Sequence, residues 1–248
     1  MLHGYEIYLW CGVAVFSAII MQASIVEEDG SRIKLSLSDV PLSVVNALRR
    51  IIINEVPVMA VDEVLIIENT SSMMNEVLAY RISLIPFVTD LDHYVLPEKC
   101  ECKSDLGCEK CAVRFSLKAA ASESPITVYS RDIQPVGEAG IVRPINGDFP
   151  IVKLAPGQAI ELELYVRLGR GKKHAKWQPG ITTLSYDNKS KYLFVESFGF
   201  LEPRRIVLEA LKIFEELSAE LHQAIIDAIR GESLEAKDGE VSTPSKNS

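Results

Sequence analysis

Four cysteines stand in one short stretch, as Cys100-Glu101-Cys102 and Cys108-Glu109-Lys110-Cys111. Thiolates are soft ligands, and four of them close a tetrahedral zinc site with no coordination position left for water. A structural zinc ion held by Cys100, Cys102, Cys108 and Cys111 is therefore the favoured reading, a staple for the loop at 97–112 without hydrolytic chemistry. The Cys-x-Cys half is tighter than the usual zinc-finger spacing, and the residues alone leave iron–sulfur ligation and a pair of disulfides open. Five cysteines in all, four of them crowded together, differ from a spread disulfide framework and point to a reducing, cytoplasmic setting.

A second chemistry-bearing stretch is Gly169-Arg170-Gly171-Lys172-Lys173-His174-Ala175-Lys176-Trp177-Gln178-Pro179-Gly180, basic and glycine-punctuated, with one of the chain's 2 tryptophans. Three readings fit it. It is a solvated turn after an apolar strand, a phosphate or nucleic-acid contact, or a docking loop whose anchors are Arg170, His174 and Trp177. Its spacing matches neither a Walker loop nor GxGxxG. On residue types alone the solvated turn is the favoured reading, and His174, Lys176 and Trp177 would be the interface residues of a docking loop.

Elsewhere the chain lacks enzyme signatures: no GxSxG elbow, no HExxH, and no HxE paired with PCxxC. His3, His93, His174 and His222 are scattered, and no nucleophile, base and orienter assemble. With 248 residues, 48% apolar and 24% charged, the chain can build one or two domains with a real core. A net charge of −8 opposes broad wrapping of nucleic acid, because counterion release needs a positive face.

The elements that position these residues follow from periodicity. Residues 32–38 alternate as a half-buried strand, and Asp39 and Pro41 open a helix that runs to about Asn54, with Leu42, Val45, Leu48 and Ile52 on one face. Strands are expected at Val58–Ile67, Val113–Ala121, Ile126–Ile133, Ile151–Leu154, Ala159–Leu168 and Leu193–Phe198, and a helix at Asn75–Ile85. Val113–Ala121 and Ile126–Ile133 read as neighbours around the turn at 122–125. From Pro203 to Ile229, Val207, Leu211, Phe214, Ser218, Leu221, Ile225 and Ala228 step by four and three, and Leu208, Ile213, Leu217 and Ile226 widen the stripe. An apolar face this broad predicts burial on two sides, and therefore a partner. Irregularly interspersed strands and helices make an α+β fold. At the ends, Ile7 to Val26 is almost uncharged and long enough to span a bilayer yet the N-terminus lacks a signal-peptide pattern, and Met21 reads as the natural start; 1–20 are then a non-native extension and no membrane segment is expected. The polar tail 232–248 is expected to be disordered.

Leu42-Ser43-Val44-Val45-Asn46-Ala47-Leu48-Arg49-Arg50-Ile51, continuing through Glu55-Val56-Pro57 and Ala60-Val61-Asp62-Glu63-Val64, resembles the assembly subunit of DNA-dependent RNA polymerase. That family comprises bacterial alpha, its archaeal counterpart D and the third-largest subunit of eukaryotic polymerase II. His174-Ala175-Lys176-Trp177-Gln178-Pro179 resembles its second signature in archaeal and eukaryotic form. Arg81-Ile82-Ser83-Leu84-Ile85-Pro86, Tyr129-Ser130-Arg131-Asp132 and Phe149-Pro150-Ile151-Val152-Lys153-Leu154 follow the archaeal pattern, and the likeness spans about Ile25 to Ile229.

The resemblance implies a discontinuous dimerisation domain, residues 21–57 and 160–231, with a mixed α/β insert domain at 58–159 that carries the cysteine loop. It implies a non-catalytic scaffold that pairs with a small subunit, known as L, through the first helix and the long last one. The pair then docks the large core subunit, known as B, and the small zinc-binding subunits N and P. DNA and RNA would meet the chain only through the assembled enzyme. Asn46, Leu48, Arg49 and Arg50 join Val207, Leu211, Phe214, Leu221 and Ile225 as expected interface residues, the arginines facing the large subunit. Many archaeal relatives carry a ferredoxin-like insert with iron–sulfur cysteines after the His-Ala-Lys-Trp motif. Here a short link, Thr182 to Tyr192, takes its place and no cysteine follows Cys111, so a zinc loop without an iron–sulfur cluster is expected. A free-standing zinc-loop nucleic-acid-binding protein and a thiol oxidoreductase are the rival readings.

Overall fold

The computed structural model of the protein describes residues 21–102, 104–187 and 190–230. The expected N-terminal extension and C-terminal tail lie outside the described residues.

Two antiparallel sheets divide the chain. The first has the order β1 (Gln22–Glu28), β2 (Arg32–Ser38), β10 (Ser190–Ser197), β9 (Gly180–Tyr186). Alternation in β2 sends Ile33 inward, with Leu35 and Leu37 behind it, onto α1 (Leu42–Asn54). Val45, Leu48, Ile51 and Ile52 of α1 pack with Leu193 and Val195 of β10 and with Ile206, Val207 and Ala210 of α3 (Pro203–Arg230). Each large aliphatic side chain taken out of water here is worth about 1.5–3 kcal/mol, so this core holds the two ends of the chain together. Pro41 occupies the cap position of α1 without a side-chain bond, whereas Asp39, the expected cap, sits in the left-handed region at φ 59°. The N–H groups of Glu55 and Val56 both return to the Ile51 carbonyl and stop the helix before Pro57.

The second sheet has the order β3 (Val58–Asn69), β8 (Ala159–Gly169), β4 (Ala112–Ala120), β6 (Gln134–Pro135). One face of it, with Leu162, Leu164 and Val166 at the centre, is covered by α2 (Asn75–Ser83) and by a two-stranded ribbon of β5 (Ile126–Tyr129) and β7 (Pro150–Leu154). Arg81 of α2 reaches that ribbon, its Nε donating to the Ile151 carbonyl and its Nη2 to that of Pro150, both at 2.9 Å. Two of the short motifs singled out by resemblance thus meet in one contact.

Three sequence expectations change. β8, which the expected boundary at 160 puts in the dimerisation part, pairs along its length with β3 and β4 and lies in the second sheet. β4 and the segment after the turn at 122–125 are not neighbours: β5 pairs with β7, and residues 130–132 form a 3-10 turn in place of continued strand. The short link after the tryptophan motif contributes residues to a strand, β9, which pairs with β10 from Gly180–Ser197 to Tyr186–Lys191 and completes the first sheet. In each case a local pattern named the strand but not its partner, which long-range register decides. Among the described residues no helix is long and apolar enough to cross a membrane.

Candidate metal centre and subunit-docking surface

The cysteine loop leaves a short 3-10 turn at Pro97–Lys99 and returns into β4. Its four sulfurs converge, with Sγ to Sγ separations of 3.6 Å for Cys100–Cys108, 3.7 Å for Cys102–Cys111 and 3.8 Å for Cys108–Cys111, and all four lie within 4.8 Å of one another. A tetrahedron built on metal–sulfur bonds of about 2.3 Å has edges of about 3.8 Å. A disulfide needs about 2.05 Å. The residues therefore fit a tetrahedral four-sulfur metal site and are free thiols, not two bridges.

The thiols differ in their surroundings. The Ser104 backbone N–H, with Cys100 beside it, holds Cys102 down at about 7. Burial pushes Cys111 up to about 12. A sulfur as enclosed as that of Cys111 becomes a thiolate only beside a compensating charge, and a divalent cation among four sulfurs supplies it. The Cys108 N–H also donates to Cys111 Sγ at 3.3 Å, a contact that suits an anionic sulfur.

The basic stretch is not a free cationic loop. Arg170 pairs with Glu98 at 3.3 Å and Glu55 at 3.8 Å, and Lys172 with Glu55 at 3.0 Å. Lys176 Nζ donates to the Val61 carbonyl at 2.9 Å and lies 3.5 Å from Asp62, which Lys173 also approaches at 3.9 Å. Asp62 is available for this because it falls at an irregularity in the β3–β8 register between Val61 and Glu63, and a bulge re-aims the side chain it carries. Burial, the largest influence, lowers the Lys176 ammonium from its ordinary value, against the pull of Asp62.

Trp177, an interface residue by its sequence context, lies instead in the core. It is 2% exposed, packs with Val58, Ala60 and Phe200, and donates from Nε1 to the Arg167 carbonyl at 3.2 Å. Lys176 and Lys173 lie over its ring, 4.2 and 4.9 Å from the centroid. The glycines have a matching explanation. A Cβ at Gly169 would collide with the Trp177 ring, and one at Gly171 with the Ile53 carbonyl at the end of α1. They permit close packing of the two sheets' connections, not a phosphate cradle. Of the three residues expected at an interface here, Trp177 and Lys176 are thus committed within the chain. His174 alone is exposed, its Nδ1 accepting the Lys176 N–H at 3.0 Å.

The expected interface residues on the helices also separate. Leu48 and Val207 are buried in the chain's own core, and Phe214 packs against that core. Leu211, Leu221 and Ile225 are exposed, as are Leu208, Leu217 and Ile229 on the same helix. On α1, Asn46 and Arg50 are exposed, and Arg49 is partly buried with its Nε donating to Asn46 Oδ1 at 3.0 Å. The residues that sequence reasoning passes over are Asp62, Arg167, Glu55 and Glu98. A charge inside an apolar strand is the signal for the first two, in Val-Asp-Glu-Val and Val-Arg-Leu. Nothing local marks Glu55 and Glu98 as ion-pair partners of the distant Arg170, and of Lys172 in the case of Glu55.

The chain is thus a two-sheet protein with a cysteine loop and a last helix that exposes leucines, and comparison with known proteins gives its class. The family model described as the RNA polymerase Rpb3/RpoA insert domain matches residues 56–187. That is more than half of the chain, which belongs to the Rpb3/RpoA family of RNA polymerase subunits. Within it, the chain is similar to DNA-directed RNA polymerase subunit Rpo3 of Methanosphaera stadtmanae, 42% identical over 168 residues, 67% of this chain and 60% of that protein. It is 48% identical to Rpo3 of Pyrobaculum neutrophilum over 145 residues, 58% of this chain and 53% of the relative, and 41% identical to that of Pyrococcus furiosus over 166 residues, 67% and 59%. The chain thus spans 53–60% of the length of these relatives.

Proposed function

We propose that the chain is a non-catalytic assembly scaffold of DNA-dependent RNA polymerase, carrying a structural zinc ion on Cys100, Cys102, Cys108 and Cys111. The observation that carries the scaffold reading is the row of exposed leucine and isoleucine side chains on α3, on a helix whose first turns are already packed into the chain's own core. Apolar side chains repeated along several turns of one helix mark a protein–protein surface. In this reading the first sheet with α1 and α3 is the dimerisation part, resumed after Gly169, and its partner is the small L polypeptide. The large core polypeptide B and the small zinc-binding N and P dock on the assembled pair, in the cytoplasm, and no iron–sulfur cluster is involved.

Pairing of all four cations of the basic stretch with Glu55, Glu98 and Asp62 of the same chain counts against direct nucleic-acid binding, because a cation that is already paired releases little counterion. Purification from the native source with identification of stoichiometric partners tests the scaffold reading; recovery of the chain alone, binding DNA or RNA with a steep salt dependence, would favour the rival. For the metal, elemental analysis of anaerobically purified protein is expected to find one zinc per chain, lost on changing Cys108 to serine. Iron in its place would sink that part.

Arg49 and Arg50 lie on α1 where the family reading puts the large subunit. Replacing both with alanine is expected to spare the heterodimer and to weaken capture of the large subunit at least ~10-fold, since losing a charge partner at an interface costs about 2 kcal/mol or more. Wild-type yield of the larger complex would remove the arginines from that role.

A further inference from the structure

Arg167 stands where three parts of the molecule meet. It lies near the end of β8, is 6% exposed, and its guanidinium reaches in two directions. Nη2 donates to the backbone carbonyl of Asp105, within the cysteine loop between Cys102 and Cys108, while Nη1 lies 3.5 Å from Asp62 Oδ2. Nε is buried and meets no acceptor. Gly107 of the same loop, at φ +83°, lies so close that a Cβ there would sit 3.4 Å from this Nε. The Arg167 carbonyl in turn accepts the indole N–H of Trp177.

We propose that Arg167 is a positioning residue that holds the cysteine loop in its metal-binding geometry and couples occupancy of that loop to the Trp177 junction between the two sheets. A planar guanidinium spans two acceptors at fixed angles, which a lysine cannot do. Its charge is buried with one carboxylate and one loop carbonyl as partners. Four sulfurs hold the loop together only through the ion among them, so loss of the ion frees the Asp105 carbonyl to move. Arg167 then keeps only the longer Asp62 contact, and a buried charge short of partners is costly enough to displace its own strand end. That strand end carries the carbonyl under Trp177. In the other direction, groups that orient a metal loop without touching the ion contribute about 10–100-fold to its affinity. The proposal rests on the zinc reading above.

The test uses the full chain carrying Trp10→Phe, so that Trp177 is its sole indole, with zinc content and tryptophan emission read together. Stripping zinc with a chelator is expected to shift the Trp177 emission to longer wavelength, and restoring zinc to reverse it. Arg167→Met is expected to weaken zinc binding about 10–100-fold in chelator competition, and Arg167→Lys to fall between it and the parent. Reversible zinc loss with unchanged emission would overturn the coupling, as would a folded Arg167→Met chain with parental zinc affinity. Protein that takes up no zinc at all would overturn the metal reading and this one together. If Arg167→Met does not fold, the stripping experiment on the parent decides alone.

Discussion

Trp177→Ala is expected to lower the stability of the chain by about 3–5 kcal/mol, measured as the shift in a denaturant-unfolding midpoint. The ring is 2% exposed and packs with Val58, Ala60 and Phe200, with the Lys173 and Lys176 side chains over its face. Two further losses add to the cavity. The Arg167 carbonyl loses its indole donor, and Lys176, mostly buried, loses the aromatic face that accompanies Asp62 as its compensation. Against a total stability of about 5–15 kcal/mol for a domain, such a loss unfolds a substantial fraction of molecules or separates the two sheets. Lys173→Ala is the control, because that side chain is exposed and its ring contact is worth about 0.5–1 kcal/mol. If Trp177→Ala cost no more than Lys173→Ala, the tryptophan would not be the linchpin its burial makes it.

Leu221→Glu combined with Ile225→Glu is expected to weaken formation of the proposed heterodimer at least ~100-fold while leaving the isolated chain as stable as its parent within about 0.5 kcal/mol. The two side chains are 62% and 49% exposed on α3, so their replacement removes little from the chain's own core. In a complex they would be enclosed, and glutamates there carry two unpaired charges into an apolar seam. The matched control is Leu48→Ala, a buried position at which stability falls first, by about 2–5 kcal/mol, and association only as a consequence. Size-exclusion chromatography with the small partner and a melting curve of the free chain read both effects. Undiminished association of the doubly substituted chain would remove this face from the interface.

Much of this protein is legible without coordinates, for reasons of short range. Cysteine chemistry and spacing mark Cys100, Cys102, Cys108 and Cys111 as one group that could hold a metal ion, because chain connectivity alone keeps them near one another. The four-and-three stepping of α3 determines a broad apolar face, and its C-terminal half does stand exposed. Period-2 alternation finds β2, and apolar runs bounded by turn residues find β3, β4, β7 and β8. What periodicity carries no record of is pairing: β8 could not be assigned to the sheet of the insert, nor β5 to β7, without the register of strands far apart in sequence. The basic stretch shows the same limit most clearly. Composition determines its charge, but whether Lys176 and Trp177 face solvent or the interior depends on a bulge that presents Asp62 and on glycines that admit an indole ring, and Asp62 is far from both in sequence. Only the tertiary structure decides that the loop is a joint held from inside, since the burial of a charged or aromatic side chain is a property of what arrives beside it.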